Sequence, residues 1–550
     1  NGSGVVVFKG NATKGSGQFK LNCENNSHGI TIKGPAHSAG ANYTLTLPTT
    51  DGSTDEVLKT DGSGNLSWVA SGGASEINDL SDAVTSNSGV NIGLGTGALA
   101  NNSGANLNTA LGHNALNTNT SGLCNTAVGY DALKLNTTNN NVAFGYAAGS
   151  AVTSGSGNIL VGSSAGQSLT LGASNTYIGN AVALFQTTGH KNVAIGELAM
   201  FGSSGNGVGS EGTAVGYSAL RNTRVDKNTA FGFEAANDST VATGITYLGW
   251  KTGRGNTAGS DCTGVGAGAL ESCTNGASNT AVGRDALNLL DTGTGNTAVG
   301  FMAGGNITGT RLRNTCIGHM AGQSMTNDDQ IAIGTFAGQS ATGQRSIAIG
   351  YDAGKAANTN SIYIGYESGL SCTGIDNVCI GRQTGYGGSG ANNTFIGSEA
   401  QTGSTSGSNN TCIGRGSTLS STSVSNEITL GNTSISTLRC NTQTISSLSD
   451  GRDKTEVEDL PLGLDFIDTL RPVKFKWDTR DGNGKDGSYE AGFIAQDLQS
   501  AQFTSNADYL KMVMDENPDR LEAAYGQLIP VLVQAIKDLK SEIETLKSNG

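Results

Sequence analysis

The chain has 550 residues with 83 glycines, 6 prolines, 5% aromatic and 14% charged residues, a mixture that argues against ordinary globular domains. Its formal net charge of −13 argues against nucleic acid as a partner. No apolar run approaches 18 residues, so the protein is not expected to be membrane-embedded.

The chain opens without an initiator Met or a basic-then-apolar leader. It is therefore read as beginning inside a longer or processed protein, with no signal peptide expected. Residues 1–70 read as a β-rich segment. Phe19-Lys20-Leu21, Ile30-Thr31-Ile32 and the run from Tyr43 to Leu47 suggest short strands, and Leu58 to Val69 suggests a hairpin around Asp61-Gly62-Ser63-Gly64. The wording TLTLPTTDGSTDEVLKTDGSGNLSWV is similar to the segment that precedes the repeat array in marine phage fibre proteins. That resemblance implies a cap and connector, which any solenoid end requires. Residues 71–90 read as a polar linker.

From residue 91 to 432 one phrase recurs, most plainly as Asn125-Thr126-Ala127-Val128-Gly129 and Asn296-Thr297-Ala298-Val299-Gly300. Anchored on its glycine it occurs 21 times between Gly95 and Gly431, at a mean period of about 17 residues. We number that glycine 0. Position −1 is Val, Ile, Leu or Phe, −2 is mostly Ala, Val or Cys, and −3 is usually Thr. Alternate residues of an extended segment share a face, so −3 and −1 oppose −2 and 0. The branched face is expected to line the coil interior, and the Ala/Gly face to permit close approach of another backbone. Two short strands and two Asn/Gly/Ser/Thr turns per coil are expected. At a spacing of roughly 4.8 Å per coil, 21 coils would make a rod about 100 Å long.

The intervals leave no room for an inserted catalytic domain. His113, His190 and His319 are read as surface residues, and no metal or cofactor is expected. The nine cysteines lack paired metal spacing. Cys316, Cys379 and Cys412 fall at −2, where Ala is common, and are read as small buried residues.

The phrase N-T-A-x-G-x-x-A resembles the head repeats of trimeric autotransporter adhesins; similar repeats occur in phage tail fibres. The resemblance implies a left-handed parallel β-roll associating as a homotrimer.

After Gly431 the sequence changes character. Residues 433–448 read as a polar neck, and from Ser449 to Gly550 charges, helix formers and aromatics appear together. Ile529, Ile536 and Ile543 alternate with Leu532, Leu539 and Leu546 as a heptad seam. Ile at a with Leu at d by itself favours two strands; the trimeric resemblance of the repeats is given precedence. Three motifs mark the segment: Ser449-Asp450-x-Arg452-x-Lys454, Leu470-Arg471-Pro472-Val473-x-Phe475-x-Trp477, and Gly492-Phe493-Ile494-Ala495-Gln496-Asp497. Together they resemble the intramolecular chaperone auto-processing domain of phage tailspikes and fibres, also found in a eukaryotic membrane-bound transcription factor. The departure is Asp453, where relatives usually carry an apolar residue.

That resemblance implies a single self-cleavage between Leu448 and Ser449, with Ser449 as nucleophile, Lys454 as general base, and Asp450 and Arg452 as supporting residues. The residues agree on one point. No histidine follows His319, so a Ser-His-Asp triad cannot be built here, whereas a lysine deprotonated by burial or a cationic neighbour can serve. Arg452 is the candidate neighbour. The architecture expected is mainly β: a trimeric parallel β-roll with an N-terminal β-rich cap and a C-terminal α+β, coiled-coil chaperone domain. The function expected is a bacteriophage tail fibre or spike section, assembled in the host cytoplasm and carried on the virion. Other tail or baseplate proteins are expected at its N-terminal end and a host-surface receptor at the other. The alternatives are a bacterial trimeric adhesin, which should end in membrane β-strands, and a polysaccharide-degrading tailspike, which needs inserted loops.

Overall fold

The fold was analysed in a computed structural model that describes all residues except 1–6, 12, 14–15, 23–28, 34, 36–38, 40–42, 71–82, 85–89, 203–208, 436, 442–448, 479–486, 516 and 520. The expected linker and neck, and Leu448 of the expected scissile bond, fall largely or wholly outside the described residues. The chain divides into two compact units, 1–85 and 86–550.

The first unit holds two antiparallel pairs, Gln18–Asn22 with Gly29–Lys33 and Glu56–Thr60 with Leu66–Ala70. The second hairpin turns where Asp61 Oδ1 accepts from the Ser63 and Asn65 amides at 2.8 and 3.2 Å. The strand expected at Tyr43 to Leu47 reduces to one parallel bridge, Thr46 to Asn65.

The second unit is dominated by a single parallel ladder. Every repeat supplies one three-residue strand at positions −3 to −1, from Ile92–Leu94 to Ile428–Leu430. Neighbouring coils pair without slip, as in Thr280 with Thr297, Ala281 with Ala298 and Val282 with Val299. Among the described residues the expected second strand is not formed; each coil has the one strand. In its place runs a turn in which residues such as Asp131 and Leu133 adopt φ of 54° and 47°. Left-handed backbone costs about 1–2 kcal/mol per non-glycine residue. Bonds to adjacent coils accompany it: Asp131 N to His113 O at 2.9 Å, and Leu133 N to Ala148 O at 3.0 Å.

The faces are the reverse of the expectation. The −2 side chain is fully buried in coil after coil (Ala127, Ala143, Ala194, Ala281, Ala298), while −3 and −1 look outward. The interior is shared between the −2 file, mostly alanine, and larger side chains supplied by the turns, such as Leu116, Leu133 and Leu287, while Val, Ile and Phe at −1 are left outside. Where an aromatic enters, glycines make room. A Cβ on Gly264 would lie 2.9 Å from the Tyr247 ring, and one on Gly354 2.9 Å from that of Tyr363.

Two further columns tie the coils together. The buried −4 asparagine accepts through Oδ1 from the corresponding amide one coil on, and its Nδ2 donates to a turn carbonyl at +10. Asn158 Oδ1 receives Asn175 N at 3.0 Å, and Asn158 Nδ2 reaches Gly172 O at 2.9 Å. At −5 a charged ladder alternates in sign: Arg313 forks onto Asp329 at 2.6 and 3.0 Å, with Arg345 on the next coil. The last coil carries Glu427 in place of the asparagine, and its carboxylate closes onto Ser420 N at 2.9 Å and the Thr429 hydroxyl at 3.0 Å.

The chain after residue 448 forms a small α+β domain with helices α1 (Leu464–Thr469), α2 (Ala495–Thr504) and α3 (Leu528–Ser548). An antiparallel pair, Val473–Lys476 with Tyr489–Gly492, completes it together with a two-residue pair at Val513–Met514 and Glu522–Ala523. Its core gathers Phe466, Leu498, Leu510, Met512, Leu528 and Val531. Asn517 Nδ2 touches the end of the array at Ser420 O, 3.4 Å away. Among the described residues no helix is long and apolar enough to cross a membrane.

The glycine column tolerates no side chain. Gly300 has φ of 135°, and a Cβ there would lie 2.5 Å from the Gly318 carbonyl oxygen. Gly300→Ala is expected to destabilise the array by roughly 2–4 kcal/mol. Gly104→Ala, in open space, should change it by less than about 0.5 kcal/mol; denaturant midpoints distinguish the two. The charged ladder gives a pH signature. Arg313 hydrogen bonding holds the Asp329 carboxyl below its ordinary value of 3.8. A depressed carboxyl contributes stability that is present above its unfolded pKa and is lost as pH falls through the folded one. The small deficit in melting temperature of Asp329→Asn against wild type, visible near neutral pH, should vanish once the pH drops below the ordinary aspartate range.

Candidate functional site

The segment Ser449 to Lys454 is organised by Asp450. Its side chain caps a short 3₁₀ turn, Gly451–Asp453, by accepting from Arg452 N at 2.9 Å. A carboxylate at such an N-terminus satisfies an otherwise unpaired amide. Lys454 follows in extended conformation, with its amide on the Gly451 carbonyl at 3.3 Å. The turn therefore reverses the chain, and Lys454 Nζ meets Ser449 Oγ at 2.5 Å. Two of the expected site residues are thus brought together by local backbone geometry alone.

The expected role of Arg452 is not what the geometry gives. Its guanidinium folds back onto Asp450, with Nε 3.1 Å from both carboxylate oxygens and Nη2 2.5 Å from Oδ2. The hydrogen bonds hold the Asp450 carboxyl below its ordinary value and push the guanidinium up. The nearest strong acceptor wins over a second cation, because a charge-assisted fork is attractive where two cations repel. The expected burial is also missing from the single chain, since Ser449, Asp450, Arg452 and Lys454 are all exposed. Asp453 is also exposed.

The other two motifs lie in the folded body of the domain. Arg471 of the second joins Asp497 of the third at 2.7 and 3.0 Å. Phe475 and Trp477 meet edge to face at 5.3 Å. Gly492 is needed because a Cβ there would come 2.7 Å from the Tyr525 hydroxyl, which accepts from Phe493 N at 3.2 Å. Tyr525 was not singled out from the sequence; nothing in its local pattern announces a contact 32 residues away. Ile467, Leu470, Pro472, Phe493, Tyr525 and Leu532 line an apolar groove of about 770 Å³.

Helix α3 has two apolar sides. Leu528, Val531 and Ala535 enter the domain core, while Ile529, Leu532, Ile536, Leu539, Ile543 and Leu546 stand exposed along the heptad seam. The three histidines lie on the array surface, where His113 stacks on Tyr130 at 5.0 Å and His190 Nδ1 accepts from Ala173 N at 3.0 Å. His319 lies between Phe301 and Phe336. Cys316, Cys379 and Cys412 are buried at −2, and burial pushes the Cys316 thiol up to about 12. Among the described residues no three His, Cys, Asp or Glu side chains cluster as a metal site.

No curated protein and no solved structure matches the chain. Residues 449–507 match the peptidase S74 family model, described as chaperone of endosialidase. That match covers all three motifs and the Ser449–Lys454 turn. The chain is accordingly a parallel β-solenoid followed by a chaperone-of-endosialidase domain, an organisation like that of tailspike proteins.

Proposed function

We propose that this chain is a section of a bacteriophage tail fibre or spike. It assembles as a homotrimer and is matured by one self-cleavage between Leu448 and Ser449. The observation that carries the reading is the Ser449–Lys454 contact of 2.5 Å at the boundary between the solenoid and the chaperone-type domain. In the reaction, Lys454 as a neutral amine takes the Ser449 hydroxyl proton while Oγ attacks the Leu448 carbonyl carbon. The proton then passes to the departing Ser449 amide nitrogen, and water hydrolyses the ester that results. Each chain reacts once, so the mature fibre carries no turnover activity.

Trimerisation is supported by two unpartnered apolar surfaces. The −1 column (Leu111, Phe144, Ile195, Phe231, Val299, Ile413) stands exposed along the whole array, and the seam of α3 stands exposed on the chaperone domain. Surfaces of that length do not remain in water on a stable monomer. Three copies packed about one axis would cover both, and would also bury the Ser449–Lys454 turn enough to favour a neutral lysine. A chaperone domain that associates first would set three chains in register before the slow non-local pairing of the coils begins. The mature rod would join other tail proteins at its N-terminal end and meet a host-surface receptor elsewhere along its length.

Wild-type protein is expected to separate into fragments 1–448 and 449–550 under denaturing conditions. Ser449→Ala, Lys454→Ala and Lys454→Arg should remain whole, with cleavage slowed at least about 100-fold; normal cleavage in the lysine variants would remove the Ser-Lys mechanism. In sedimentation, the wild type should weigh three chains. Val282→Glu combined with Val299→Glu puts charges on the outward column only, so it should give single chains with unchanged β-structure by circular dichroism. A monomeric wild type would refute the trimer.

A further inference from the structure

In the first coils two inward polar side chains, at −4 and +7, converge on the carbonyl at +10. Asn108 and Asn119 both donate to the Gly122 carbonyl, at 2.9 and 3.0 Å, and Asn91 and Asn102 share that of Ala105. In the coil around Gly266 both positions are cysteine, the only repeat in which this occurs. Cys262 and Cys273 point their thiols at the same Gly276 carbonyl, at 3.1 and 3.5 Å. Both are free and fully buried. Their mutual interaction pulls the Cys262 thiol below its ordinary value and pushes that of Cys273 above it. The location matters. Ile245 and Cys262 interrupt the asparagine column between Asn228 and Asn279, so after the bond from Ile245 N to Asn228 Oδ1 at 3.3 Å no asparagine side chain stands at −4 until Asn279.

We propose that Cys262 and Cys273 are a modification site, closing into a disulfide across the interior of one coil when the protein meets a small disulfide oxidant. The Cys262 thiolate attacks one sulfur of the oxidant, whose S–S bond breaks and releases one thiol. The Cys273 thiolate then attacks the Cys262 sulfur of the mixed disulfide and expels the second. One disulfide is consumed and one formed; the two protons of the protein thiols leave on the two small thiols. The bond staples a coil whose −4 position lacks the asparagine.

The test uses the full chain and 2-hydroxyethyl disulfide, both on assembled protein and on protein folded in its presence. The peptide spanning both cysteines should lose two hydrogens and resist alkylation, and cleavage after Glu271 should leave its halves joined. Cys273→Ser should instead retain one mercaptoethanol on Cys262. Oxidised wild type should unfold in denaturant about tenfold more slowly than the reduced form, a difference absent from Cys262→Ser. Two alkylatable cysteines in both preparations would overturn the proposal, as would pairing with Cys372 or Cys379 in place of each other.

Discussion

Everything in the array depends on the close, unvarying approach of one coil to the next. The parallel ladder brings each coil down on its neighbour at strand spacing, and the glycine column marks where backbone meets backbone. At Gly129, Gly283 and Gly300 even a methyl group would strike the carbonyl of the following repeat glycine. Once that spacing is imposed, whatever repeats along the chain becomes a column: asparagine amides inside, alternating charges at −5, stacked rings such as Tyr130 and Tyr146 at 5.4 Å. None of these columns would form alone. Each follows from the same rung distance, and each adds to it only at the interval it sets.

The period was legible in the sequence, because a glycine that must be glycine and an asparagine that must bridge two coils leave a regular trace. The facing of the coil was not. Alternation says that −3 and −1 oppose −2 and 0, but not which pair lies inside, and the usual rule that larger apolar groups are buried points the wrong way. Thr297 and Val299 face out while Ala298 is sealed in, and the larger buried groups, such as Leu133 and Leu287, come from the turns instead. A second strand was expected where left-handed turn residues stand, since Asp131 and Leu133 carry no sequence mark of positive φ. In the chaperone domain the Ser449–Lys454 pairing was legible from its motif. The partner of Arg452 was not, because spacing alone cannot rank Asp450 against Lys454 as its neighbour.

The two halves of the second unit face the same physical problem from opposite ends. A coil without neighbours buries little on its own, so the array gains stability by stacking. The C-terminal domain has a core of its own around Phe466, Met512 and Val531, and can order independently of the coils. The Ser449–Lys454 turn, built on Asp450, lies between the two. The local capping that shapes this turn requires no contact with the array.

The tyrosines inside the coils have a consequence for how such a rod avoids mistakes. Near-identical repeats invite pairing one coil out of step, since backbone hydrogen bonds alone would accept it. Tyr247 and Tyr363 occupy a file otherwise made mostly of alanine, and each is matched to glycines in its own neighbourhood. Shifted by one coil, the Tyr247 ring would meet alanine-sized walls and the Gly264 hollow would lie empty, a cost of overpacking and a void together. These few large side chains act as an address written into the interior, so that a misthreaded array is recognisably worse than the native one long before its ends are compared.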